Sequence, residues 1–213
     1  MDKKYIQPLL EFNSVYHIYN CGINGCSIFK DDEDYDRFLS KYSEFIEPIA
    51  DTYSWCLLDN HFHVVLKIKK ERDIQTLKQL KLFENKSGAL SDEKKPDIAK
   101  QFSHLFNAYA QYFNYKYHRH GALFESPFKR KKIENRQYFK RCLIYVHQNP
   151  LKHGFVTRLQ DYRYTSFNLI FSDTNGFIKK STVLNFFDNI DEYNKIHHKL
   201  VNLIEGFDEN TLK

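Results

Sequence analysis

The stretch NHFHVVLKI, residues 60–68, limits the fold more than any other part of the chain. Strand side chains alternate between faces, so Phe62, Val64, Leu66 and Ile68 share one side and His61, His63, Val65 and Lys67 the other. The first set is a core face. The second is a face that something polar must visit. TYSWCLL at 52–58 precedes it across Asp59-Asn60, a turn-forming pair, so the two runs predict a β-hairpin.

Residues 14–21, SVYHIYNC, alternate as a first strand. Residues 31–49 open with acids suited to a helix N-terminus; Tyr35, Phe38, Leu39, Tyr42, Phe45 and Ile46 then recur at helical spacing. After the hairpin come a helical pattern at 74–83, a polar loop at 84–97, and a long helix at 98–117 striped by Phe102, Leu105, Phe106, Tyr109 and Phe113. A fourth strand is expected within 123–133. A helix should start at Arg136 and end near Gln148, because Pro150 cannot donate and would clash with the Val146 carbonyl. Two further helical patterns fall within 181–205. The order strand, helix, strand, strand, helix, strand is the ferredoxin-like plan. The expected class is α+β: an antiparallel sheet with helices on one face, added C-terminal helices, and a face left for ligands.

The 213 residues include 19 Phe and 15 Tyr, enough for one sizeable core. No apolar run approaches the roughly 20 residues of a membrane span. The opening MDKKYIQPLLEFNS has no apolar h-region, so a cytoplasmic protein without a secretion signal or membrane association is expected. Cys21, Cys26, Cys56 and Cys142 lack C-x-x-C spacing and read as buried free thiols.

The formal charge of +5 is unevenly spread. Residues 116–141 carry nine Lys or Arg against Glu125 and Glu134, interleaved with Tyr117, Phe124, Phe128, Tyr138 and Phe139. That pattern suits a polyanion with bases to stack on, or a solvated charged segment whose rings are simply core.

An H-x-H pair on one strand face can offer two nitrogens to one metal, although His61 and His63 could equally be surface or turn histidines. His118-Arg119-His120 repeats the pattern and reads as a basic loop. In YVHQNP, residues 145–150, Tyr145 and Asn149 lie one helical turn apart, so a phenol and an amide oxygen can serve one centre. The alternative is a core tyrosine and a capping asparagine.

NHFH followed by an apolar strand resembles the HUH signature. FNAYAQYFNYKYHRHGALFESPFKRKKI and YFKRCLIYVHQNPLKHGFV resemble the REP-associated tyrosine transposases, single-tyrosine HUH transposases of bacteria; VYHIYNCGI at 15–23 and YRYTSFN at 162–168 are similar to other parts of that family. The resemblance covers roughly residues 12–170, taken as one transposase domain, and leaves 171–213 as a C-terminal helical extension of unassigned role. Leu58-Asp59 stands where the family often has Met-Pro, and Pro127 where an Arg is common, which puts one phosphate contact in doubt.

What the resemblance implies is a metal-dependent endonuclease and strand transferase acting on single-stranded DNA that carries a hairpin. Tyr145 would be the nucleophile, leaving a 5′-phosphotyrosine and a free 3′-hydroxyl. His61, His63 and Asn149 would hold a divalent cation, Mg2+ or Mn2+, with Gln148 and His147 as rival third ligands. Two imidazoles favour manganese over magnesium on ligand chemistry alone. Lys129, Arg130, Lys131, Lys132, Arg136 and Phe128 would contact the hairpin. The family implies action within one chain, as monomer or homodimer. Two other readings keep the fold without the chemistry: a transposon-derived hairpin-binding protein, and an RNA-binding sheet.

Overall fold

The computed structural model describes residues 7–76, 94–172 and 177–199. Four strands, β1 (Val15–Cys21), β2 (Ala50–Leu57), β3 (His61–Ile68) and β4 (Lys129–Ile133), form one antiparallel sheet in the order β2-β3-β1-β4. With α1 (Asp32–Phe45) between β1 and β2, and α2 (Ile98–Lys116) between β3 and β4, this is the expected α+β, ferredoxin-like arrangement. The helix expected at 74–83 and the loop at 84–97 fall largely on 77–93, outside the described residues.

Local chemistry sets the helix ends. Asp31 caps α1 by accepting from the Asp34 amide, and Asp32, Glu33 and Asp34 oppose the positive end of the helix dipole. The helix stops at Phe45 rather than 49. Pro48 has no N–H for the Glu44 carbonyl, and its ring would press on that group. Asp97 caps α2 in the same way.

Cross-strand register divides the sheet into two faces. Tyr16, Ile18, Phe62, Val64 and Leu66 face α1 and α2, where the Phe62 ring lies 5.1 Å from Phe38 and 5.9 Å from Phe106. Burying Phe62, only 2% exposed, contributes roughly 1.5–3 kcal/mol. His17, Tyr19, His61, His63 and Val65 occupy the other face. That face is not open, as the alternation suggested. A third long helix, α3 (Arg136–Lys152), packs across it on β2 and β3.

The expected end of α3 at Gln148 is corrected by one turn: the helix runs through Pro150 to Lys152. Proline withholds the donor that the Val146 carbonyl would receive. The Asn149 side chain supplies it instead, its Nδ2 donating to Val146 O at 3.4 Å and to Tyr145 O at 2.9 Å. Gly154, at φ 72°, then takes the left-handed conformation that closes the helix.

Beyond 171, the chain adds α4 (Lys180–Leu184) and α5 (Ile190–His197). Ile178 bridges to Thr52 of β2, while Tyr193 stacks on Phe167 and α5 packs on α3. Among the described residues, no helix is long and apolar enough to cross a membrane.

Candidate active site

β3 places His61 and His63 on the face covered by α3, and α3 lowers Tyr145 onto His63 within the same chain. The Tyr145 ring meets His63 edge-on at 5.6 Å and His17 at 6.0 Å between centroids. His61 and His63 are 5.3 Å apart. His153, one turn beyond Asn149, lies 4.9 Å from His61. Tyr145, Asn149 and His153 thus form one stripe at four-residue spacing, its first member on His63 and its last on His61. Asn149 is the middle member of that stripe and is fully buried.

Burial keeps these imidazoles neutral. His61 is pushed down to about 4, first by burial and then by His153. His63 is held well below its ordinary value by burial, with His17 and His61 adding to it. His17 is pushed down to about 3 by burial, helped by the Lys131 cation. Neutral imidazole is the form that ligates metals.

The hydrogen bonds also orient the rings. The His61 Nδ1–H donates to Asn60 Oδ1 at 2.6 Å, leaving Nε2 as the lone-pair atom. His61 Nε2 and Asn149 Oδ1 are buried with no hydrogen-bond partner among the described residues. Leaving such an atom unsatisfied costs about 1–3 kcal/mol. Both are donors of the kind a divalent cation accepts, so the residues fit the metal role the sequence suggested. Among the described residues, no three His, Cys, Asp or Glu side chains converge as a ligand set. Asn149 Oδ1, the third donor the sequence suggested, is an oxygen outside those residue types.

The two rival ligands point elsewhere. His197 donates from Nδ1 to the Tyr193 carbonyl at 2.7 Å, so its Nε2 accepts from His147 Nδ1–H at 3.0 Å. His147 Nε2 in turn accepts from the Ser166 hydroxyl at 2.7 Å. Both nitrogens of His147 are therefore occupied. Gln148 donates to the carbonyls of His197 and Lys199. These residues hold the C-terminal segment, not the histidine pair. His118 and His120 sit in an exposed loop after α2.

Strand alternation splits the expected DNA contacts. Lys129 and Lys131 share the histidine face, whereas Arg130 and Lys132 lie on the opposite one. The Arg130 guanidinium donates to the Pro8 carbonyl and lies 4.9 Å over the Phe128 ring, while its backbone N–H donates to Gln7 Oε1. Lys132 pairs with Glu11 at 2.6 Å, and Arg136 donates to Asn185 O at 2.7 Å. Phe128 packs on Phe102 and Phe106. Lys131, with its ammonium 5.0 Å from the Tyr138 ring, lines a shallow cavity together with Lys132, Tyr138 and Arg141.

Sequence reasoning missed four neighbours of the site. His17 and Tyr19 share a strand face by the same period of two that revealed His61 and His63. Lys152 lies seven residues after Tyr145, two helical turns on, and its ammonium sits 4.3 Å over the tyrosine ring. Ending the helix at Gln148 hid both it and His153.

Over 134 residues, 62% of this chain and 68% of the relative, the sequence is 24% identical to a Haemophilus influenzae protein described as a REP-associated tyrosine transposase. The chain is similar to the REP-associated tyrosine transposases. A solved structure of a REP-associated tyrosine transposase bound to a REP hairpin superposes with TM-score 0.58 at 13% identity, covering 80% of this chain and 86% of that one. This supports the fold assignment. A bacterial tRNA(His) guanylyltransferase-like protein in complex with GTP matches at TM-score 0.41 and 11% identity over 70% of this chain and 68% of that one, too low to carry an argument. No family model matches.

Proposed function

We propose that this chain is a metal-dependent single-stranded DNA endonuclease and strand transferase, a transposase-type enzyme that recognises a DNA hairpin. The observation that carries the proposal is the meeting of Tyr145 with His63, whose ring lies beside that of His61, inside one chain. The relatives' names add transposition and hairpin binding to it.

His61, His63 and Asn149 would hold Mg2+ or Mn2+. Bound there, the cation supplies Lewis-acid charge to a non-bridging phosphate oxygen. The protein's own groups account for the remainder. The Tyr145 phenol gives its proton to a water that enters with the DNA as its oxygen attacks phosphorus. The bond from phosphorus to the 3′-oxygen breaks, and that oxygen leaves as a hydroxyl after taking a proton. The product is a 5′-phosphotyrosine that keeps the diester, so a second 3′-hydroxyl can reverse the step on another strand without ATP. An unperturbed phenol titrates near 10, so the Lys152 ammonium over the ring favours the developing phenolate. Lys131 and Arg141 lie on the α3 side of the sheet, where they can meet backbone phosphates.

The test is a labelled single-stranded hairpin incubated with Mn2+. Wild type should give a covalent adduct stable in denaturant, and Tyr145→Phe none. Hairpin binding without adduct under Mg2+ or Mn2+ would leave a binding protein and overturn the enzyme.

A further inference from the structure

We infer that His17 is a positioning residue, an acceptor that holds His63 with Nδ1 protonated and so turns the Nε2 lone pair toward the cation. The inference rests on the proposed function and extends it to a residue outside the H-x-H motif.

His17 lies on the central strand β1, fully buried, opposite Val65 of β3 and Lys131 of β4. Its ring stacks beside that of His63, 5.1 Å between centroids and 29° between planes, and its Nε2 is 3.0 Å from His63 Nδ1. A hydrogen bond between two neutral imidazoles needs one donor and one acceptor. If His17 donated, the proton of His63 would sit on Nε2 and block that atom as a ligand. If His63 donates, its Nε2 carries the lone pair. His61 already shows this orientation, fixed by Asn60 through Nδ1. Both members of the pair then present the same ring atom, each with its Nδ1–H anchored to a neighbour.

The surroundings leave the His63 ring little choice of rotamer. Tyr19 lies 5.6 Å from it on the same strand as His17, and Tyr145 closes the edge at 5.6 Å. His17 also touches the Tyr145 ring at 6.0 Å. One imidazole thus abuts both a ligand and the nucleophile. A buried histidine with merely structural duties would not need its hydrogen bond to run in one direction.

Two measurements on the full chain decide the matter. In metal-free protein labelled with 15N-histidine, long-range proton–nitrogen correlations should show His63 with its proton on Nδ1; a proton on Nε2 overturns the inference. Mn2+ affinity is then measured without DNA, by the electron paramagnetic resonance of free Mn2+, for wild type, H61A, H17F and H17Q. H17F should weaken binding by about 10–100-fold. In H17Q the amide oxygen reaches the place of Nε2 and accepts the same hydrogen bond, so affinity should return to within about threefold of wild type. Failure of wild type to bind Mn2+ would overturn the functional reading and this inference together. Binding that is lost in H61A but unchanged in H17F would overturn the role of His17 alone. Should H17F not fold, the tautomer of wild type and the affinity of H17Q still decide.

Discussion

Lowering the pH of the metal-free protein from 7 to 5 should cost this fold several kcal/mol, because the interface beneath α3 is built on neutral imidazoles. His17, His61 and His197 are all but fully buried. Burial first, and nearby cations or imidazoles second, push them down to about 3, about 4 and about 4. In the unfolded chain each titrates near 6.5. Between that value and the folded one, the unfolded chain binds a proton that the native protein refuses. Stability is therefore complete above about pH 6.5 and falls as the pH drops through the window. At pH 5 each group costs about 2 kcal/mol, or about 6 kcal/mol for the three acting independently. Set against a typical total of roughly 5–15 kcal/mol, that is a large fraction. Urea unfolding followed through Trp55 fluorescence in chelator, at pH 7 and pH 5, measures it directly. The midpoint should fall steeply with the slope unchanged. Equal midpoints at the two pH values would refute neutral burial of these rings.

Lys152→Met removes the cation over Tyr145 and should slow single-turnover adduct formation about tenfold, the order expected for a partly desolvated cation–π contact; an unchanged rate would remove Lys152 from the mechanism. Asn149→Ala strips the Val146 carbonyl of the donor that replaces the one Pro150 lacks, and should cost about 1–3 kcal/mol in urea unfolding even without metal. Lys131→Ala and Arg141→Ala should each reduce the slope of log affinity for a hairpin against log salt by about 1. Arg130→Ala, whose guanidinium is engaged by the Pro8 carbonyl, should leave that slope as it is. The same loss from all three would contradict the division of the basic strand into two faces.

What could be read from the sequence was what is encoded locally. The hairpin and the shared face of His61 and His63 follow from a period of two, and β3 begins and ends where that pattern does. The pairing of His17 with His63 is different in kind. It depends on the register between β1 and β3, forty-six positions apart, which no local pattern carries. α3 outruns the expected end because proline stops a helix through an unsatisfied carbonyl, and here Asn149 satisfies that carbonyl from the side. The basic run held its own correction. Once Lys129–Ile133 is a strand, alternation already separates Arg130 and Lys132 from Lys129 and Lys131.

α3 continues unbroken past Pro150, and His147 and Gln148 latch it to the C-terminal segment. Tyr145 and Asn149 therefore ride on a single stiff rod clamped along its back. A shift of α3 moves both together. At 1% exposure, with the Lys152 ammonium lying over its ring, Tyr145 is enclosed between α3 and the sheet. Under the proposed function, the DNA would have to be brought to a tyrosine whose place is set by α3, a demand better met by a nucleic acid already folded back on itself than by a slack strand.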